Sequence, residues 1–228
     1  MFKKKEGHES SRLEAFSDAV FAFSATLLVV SLEVPDTFPE LVSELKGFIA
    51  FGIRFGVLVA LWTVHNAFFK RYPIADKSIT FLNALFLFVI LFYVYPLKFM
   101  TESIVAPLIG DSANLGMKSV DDLALLFILY SLGFVAVFGS VALMYLHVSR
   151  TSSSLSLSPL QSHEAGYFAR HYGIFAGVGI ISILFAFFNV GVIIGFPGYI
   201  YALLGPLCYW HGHRSEKKSK ILRAQEIA

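Results

Sequence analysis

Residues 12–35 read "RLEAFSDAVFAFSATLLVVSLEVP". From Ala19 to Leu32 the stretch has the apolar density of a membrane helix. It nevertheless opens with Arg12, Glu14 and Asp18 and carries hydroxyls at Ser17, Ser24, Thr26 and Ser31. A carboxylate inside an apolar span is costly unless it is paired. The segment must therefore both cross a bilayer and carry polar contacts.

Composition supports the membrane reading. Charged residues make up only 15% of the 228 residues and hydrophobic ones 56%. A soluble domain carries about 25% charge. The formal net charge of +2 is too small to argue for a nucleic-acid partner. A single cysteine, Cys208, excludes an intramolecular disulfide and a cysteine metal cluster. No cofactor is expected. The N-terminal "MFKKKEGHESS" precedes an apolar segment too long for a signal peptide, so that segment is expected to persist as the first span.

Apolar segments near the about 20 residues needed to cross a bilayer recur along the chain. They are Leu13–Val34, Gly47–Phe69, Ile79–Met100, Asp122–His147, Phe168–Asn189 and Val190–Trp210. Lipid offers free backbone groups no partner, so the spans must be helices. The alternating segments of about 10 residues that a barrel needs are absent. The expected fold is an all-α integral membrane protein with six transmembrane helices in one domain over residues 1–228. Residues 1–11 form an N-terminal tail and residues 211–228 a basic C-terminal tail. Ser11 and Glu14 fit a capping box at the start of the first helix, and Pro35 marks its end. Ser119 and Asp122 offer a weaker start signal before the fourth span. "SRTSSSLSLSPLQSHEAG" is expected to be a long, serine-rich, mobile loop. The turn between the last two spans falls at Asn189–Gly191 or at Gly195–Gly198.

Loop charge sets orientation. Lys3, Lys4, Lys5, Arg12, Lys70, Arg71, Lys77, Arg150, Arg170 and the C-terminal cluster from Arg214 to Arg223 lie on one side. The other side carries Asp36, Glu40, Glu44, Glu102, Asp111 and Asp121 with few cations. The positive-inside rule puts both termini in the cytoplasm of a multi-pass cell-membrane protein.

On a helical wheel with Phe23 at zero, Leu27 falls at about +40°, Val30 at about −20°, and Phe16 and Val34 at about +20°. They form one narrow apolar stripe. Thr26 flanks it at about −60°, and Ser24 and Ser31 lie on the other flank. In isolation such a stripe reads as packing against lipid or neighbouring helices. Depth groups the polar residues. The second helix returns "WTVHNAFF" (residues 62–69) to the inner level of Asp18, and the third starts there with Asn83. Arg12, Asp18, His65 and Asn83 can therefore share one polar layer. Such a layer can serve simply to hold helices together.

"RLEAFSD" resembles the Arg-x-x-x-Phe-Ser-Asp signature of the transmembrane protein 175 family of potassium channels. The likeness continues through "AVFAFSATLLVVSLEVP", the Trp-x-x-His segment of "LWTVHNAFF", and "FLNALFLFVILFYVYPL". It is specific over about the first 100 residues and only hydropathic beyond them. The resemblance implies one six-helix repeat per chain and a homotetramer whose four first helices line a potassium path. It implies an apolar constriction at Phe23, Leu27 and Val30, with no fixed metal site. Aliphatic residues are commoner there, so Phe23 departs from the usual pattern, and Ala19 stands where glycine is usual. The resemblance makes Arg12, Ser17, Asp18 and His65 a structural network rather than pore lining.

Under that reading the chain is a modestly potassium-selective channel with a hydrophobic gate. The carbonyl filter sequence Thr-Val-Gly-Tyr-Gly is missing. An apolar neck instead gates by dewetting and favours the ion that sheds water more cheaply. Thr26 and Ser31 could add oxygen contacts beside it. The alternative is a proton-coupled secondary transporter using Asp18 and His65. Arg54, inside the second span, is expected to snorkel outward or to pair with Glu33 or a loop carboxylate. No His-Glu-x-x-His or Gly-x-Ser-x-Gly pattern points to an enzyme.

Overall fold

The computed structural model describes residues 2–30, 36–108 and 119–227. Among these the regular structure is helical, with no strand. Helix α1 is Phe2–Val30, α2 Phe38–Arg71, α3 Lys77–Leu108, α4 Val120–Arg150 and α5 Pro159–Phe187. The last stretch is built in three pieces: α6 at Phe196–Tyr199, a 3-10 turn at Ile200–Leu203, and α7 at Leu204–Ile227. Helices α1 to α5 each contain a stretch long and apolar enough to cross a membrane.

Several boundaries differ from the sequence reading. Helix α1 starts at Phe2, so Ser11 lies inside it and caps nothing. Ser10 instead donates to the Glu14 carboxylate one turn on, at 3.1 Å. The box at Ser119 and Asp122 does form, with reciprocal bonds of 3.0 and 3.1 Å. The serine-rich loop is shorter than expected, because α5 begins at Pro159 rather than Phe168. Ser158 and Gln161 make a full capping box with Pro159 at the first helical position. That pattern was readable as Ser-Pro-x-Gln. Pro35 lies outside the described residues.

The chain divides into two compact units. The first holds residues 1–75 and 87–122, and the second residues 76–86 and 123–228, so α3 contributes to both. In the first, α1 packs on α2. One face of α1 is buried at Ser10, Ser17, Phe21, Ser24 and Leu28. This is the i, i+4, i+7 spacing of a single helical face. Its serines stand seven apart. In lipid, apolar side chains gain little by leaving one oily environment for another, so small residues that let backbones approach carry the packing. The Ser17 and Ser24 hydroxyls donate back to the Leu13 and Val20 carbonyls at 2.8 and 2.9 Å.

In the second unit α5 packs on α7 and on the broken segment before it. The residues between α5 and α6 turn through positive φ at Asn189, Gly191 and Gly195. A Cβ on Gly191 would lie 2.7 Å from the Phe196 Cβ, so both the conformation and the space require glycine there. Both turn sites named from the sequence are thus used, and the last segment becomes helical at Phe196 instead of Val190. A relay of hydroxyls holds it. Tyr201 donates to Ser131 at 2.9 Å, and Ser182 donates to the Pro197 carbonyl at 2.8 Å. The 2.9 Å contact between Ser131 and Ser182 must then have Ser131 as donor. Each hydroxyl donates once, and a carbonyl of the broken helix is satisfied. Ser182→Ala leaves that carbonyl and Ser131 without this partner. It should cost about 1–3 kcal/mol, measurable as a lower midpoint in thermal unfolding of the detergent-solubilised protein. An unchanged midpoint would show that the relay adds nothing.

Asp76 ties the start of α3 to the end of α4. Its Oδ1 accepts from the Ile79 N–H at 2.8 Å, an N-cap contact, and its Oδ2 meets the His147 Nε2 at 2.7 Å. Partial burial alone would raise the Asp76 carboxyl, but bonds from Ile79 and His147 and the histidine's charge bring it below its ordinary value. The stabilisation is therefore present above the usual carboxylate range and is lost as pH falls through the lowered pKa. Asp76→Ala should cost about 1 kcal/mol at neutral pH. The gap to the parent protein should close in acid. A gap independent of pH would rule the carboxylate out as its source.

Candidate functional site

Helix α1 presents two distinct faces. The one bearing Ser17, Phe21, Ser24 and Leu28 is packed inside the first unit. The other carries the sequence-derived stripe, whose described side chains are exposed or half-buried. Phe23 is 56% exposed and Val30 72% exposed. Leu27 is half-buried and Thr26 exposed. The Thr26 hydroxyl donates to the Ala22 carbonyl at 3.0 Å. Its single hydrogen is thereby committed to the helix, and the oxygen keeps acceptor capacity on the exposed face. Ser31 lies outside the described residues.

The residues expected to form the polar network are placed differently from one another. Asp18 accepts from the Trp62 indole N–H at 2.8 Å. This bond ties α1 to α2 at the level where the returning second helix was expected to meet it. The sequence reading put Trp62 at that depth but gave it no role. Its indole, a donor with no acceptor of its own, was the available signal. His65 is buried, with its ring 5.7 Å edge-on from Phe21 of α1 and 4.9 Å from Phe69. Ser17 is fully buried and Arg12 is exposed. Asn83 is fully buried in the part of α3 that belongs to the second unit.

Arg54 does not snorkel. It is 2% exposed, in a pocket shared with Leu28, Leu58, Leu61, Ile90 and Tyr93. The side chain is engaged there. The free space beside it is about 10 Å³, at the lower limit for one water. Glu33, its suggested partner, lies outside the described residues. Among the described residues no group of histidine, cysteine or carboxylate side chains has the makings of a metal site.

Together these features define a polytopic α-helical membrane protein whose first helix is anchored on one face and leaves an apolar face uncovered. Residues 12–93 match the family described as the endosomal/lysosomal potassium channel TMEM175. A protein of Marivirga tractuosa named "Potassium channel" is 32% identical over 229 residues, covering 95% of this chain and 92% of the relative. The chain therefore belongs to the TMEM175 family. A Chamaesiphon minutus protein, also named as a potassium channel, is 22% identical over 86% of this chain and 93% of its own length. The crystal structure of a threonine-to-alanine variant of the potassium channel MtTMEM175 matches with a TM-score of 0.80 at 31% identity. That match covers 90% of this chain and 93% of the other. A structure of a TMEM175 homologue from Chamaesiphon minutus shares the fold at TM-score 0.56 and 23% identity, over 86% and 98% of the two chains. None of these likenesses supports the transporter reading of Asp18 and His65.

Proposed function

We propose that the chain is one subunit of a potassium-selective cation channel in the cell membrane, with both termini cytoplasmic. Four copies place their first helices around a central path. The observation that carries this reading is the two-faced α1. Its serine face is packed, while large apolar side chains at Phe23 and Val30 are left outside by their own chain. A face of that kind needs either lipid or further copies. Relatives named as potassium channels favour copies around an ion path.

The mechanism follows from the chemistry of the stripe. Phe23, Leu27 and Val30 offer an ion no replacement for its water shell. Where the ring of side chains is narrow, water leaves and current stops. When it widens, a hydrated or partly hydrated ion passes, and potassium gives up water more cheaply than sodium. Selectivity is therefore modest. The Thr26 oxygen supplies an acceptor beside the neck, with Ser31 the next hydroxyl along the sequence. Asp36, exposed between α1 and α2, adds negative charge at the outer mouth together with Glu40 and Glu44 of the sequence. That attraction weakens with salt. Arg12, Ser17, Asp18, His65 and Asn83 hold helices in place and do not line the path.

Native mass spectrometry of the purified protein, combined with potassium flux into liposomes, tests the proposal. A four-chain assembly that passes potassium faster than sodium is expected. A monomer, or flux strictly coupled to a proton gradient, would overturn it.

A further inference from the structure

The second unit contains a basic cavity that the channel reading leaves unused. It has a volume of about 400 Å³ and lies among the end of α4, the first turns of α5 and the middle of α7. Its charged walls are Arg170 and Arg214, with the imidazoles of His163 and His211 between them. No carboxylate lines it. Ser149, Ser162 and Ser215 contribute hydroxyls.

We propose that this cavity binds a phosphate-bearing anion, and that its occupant is the headgroup of an anionic phospholipid. The geometry suits such a group. The Arg214 guanidinium carbon stacks 3.8 Å above the Trp210 ring. Stacking uses the face of the guanidinium and leaves its in-plane N–H fork able to grip phosphate oxygens in pairs. His211 Nε2 lies 3.3 Å from the Tyr167 carbonyl, and its ring stacks 4.7 Å from that of Tyr167. The imidazole is thus held in place. His163 is positioned by a 3.1 Å contact to Ser215. Ser162 and His163 stand near the N-terminal end of the 29-residue α5, where the helix dipole favours an anion. Gly166 keeps the floor open. A Cβ there would lie 3.3 Å from the Ser149 Oγ and 3.6 Å from the Arg170 Nη1.

Depth selects the lipid over free phosphate. Tyr209 and Trp210 are 78% and 57% exposed on α7, one turn before Arg214. Exposed tyrosine and tryptophan mark the headgroup level of a bilayer. Basic pockets between helices at that level hold anionic headgroups. Placing the site in the cytoplasmic leaflet rests on the orientation proposed above, whereas the binding itself does not.

The test is native mass spectrometry of the full chain in detergent. It is titrated with phosphatidic acid, with phosphatidylcholine of the same acyl chains, and with inorganic phosphate. Phosphatidic acid should bind at least about tenfold more tightly than phosphatidylcholine. The Arg170→Gln/Arg214→Gln pair should lose that preference, which the two guanidiniums together supply. Gly166→Leu should lose it by filling the floor without changing charge. Lys220→Gln, in the exposed pair with Glu216, should not. Thermal unfolding of each variant checks that it is folded. Equal binding of both lipids, or undiminished preference in the folded arginine pair variant, would overturn the site. Tight binding of inorganic phosphate without lipid preference would overturn the lipid assignment. Conduction enters none of these readouts, so a failed channel proposal and a failed lipid site are told apart.

Discussion

A Leu27→Ala channel is expected to pass more current and to discriminate less between potassium and sodium. The substitution removes three carbons from each chain at the proposed neck, and four chains would each contribute. A wider, less oily constriction holds water more readily, so the barrier to a hydrated ion falls. A drop of about 1.4 kcal/mol raises the rate about tenfold, and conductance should rise by an amount of that order. Selectivity should fall, because an ion that keeps its water reveals less of its identity. Fold should be preserved, since Leu27 lies on the half-exposed side of α1 while Leu28 beside it faces the packed interior. Single-channel recording in planar bilayers with mixed potassium and sodium decides the matter. Phe23→Ala and Val30→Ala complete the series, and the largest change identifies the narrowest ring. If all three variants conduct and select like the parent, the stripe is not the constriction.

The spans were legible because lipid imposes a severe rule. Backbone groups need partners, so each long apolar run must be a helix. Their ends were less legible. The first helix continues upstream of Ser11 through residues too polar to register as a span. The capping pattern at Ser11 and Glu14 consequently falls in its interior. Pro159 and the Ser158–Gln161 box carry an equally clear start signal, embedded in a stretch whose serines also suit a loop. The broken last segment depends on contacts far apart in sequence. Ser131, Ser182 and Tyr201 form one relay only once their helices are packed, and no local pattern announces it.

The stripe on α1 was legible because wheel geometry requires only a period. What it packs against was not, because a single chain cannot say whether an uncovered apolar face meets lipid or copies of itself. The opposite face could have been read further. Serines seven apart at positions 10, 17 and 24 mark a close helix contact, and all three are buried. Asp18 was expected to need a partner, and the supplier of one bond is Trp62.

Arg54→Ala should be the most destabilising single substitution in the first unit. Of the two expectations for Arg54, snorkelling is excluded because α2 carries it on the face turned toward its own unit, and pairing with Glu33 falls on residues outside those described. Leu28 of α1 and Tyr93 of α3 close around it, leaving too little space for bulk water to enter. A charge so placed is costly to bury, and although Arg54 is engaged, its Nε makes no hydrogen bond. Truncation to alanine opens a cavity and strands those surroundings together. Truncating a buried side chain of this size costs about 2–5 kcal/mol through the cavity it leaves. The unfolding midpoint in detergent should fall by about 10 °C, on the scale of about 2–4 °C per kcal/mol for chains of this size. Arg54→Lys keeps the charge and loses the planar fork, so it should recover only part of the loss. Conduction separates packing from permeation. Arg54 sits behind α1, at the level of Leu28, and not on the stripe. Folded Arg54→Lys channels should therefore keep the parent's selectivity even as their midpoint drops. A lysine variant with the parent's midpoint but altered selectivity would reverse the assignment. It would make the buried cation part of the field that ions cross, rather than part of the scaffold that holds the neck.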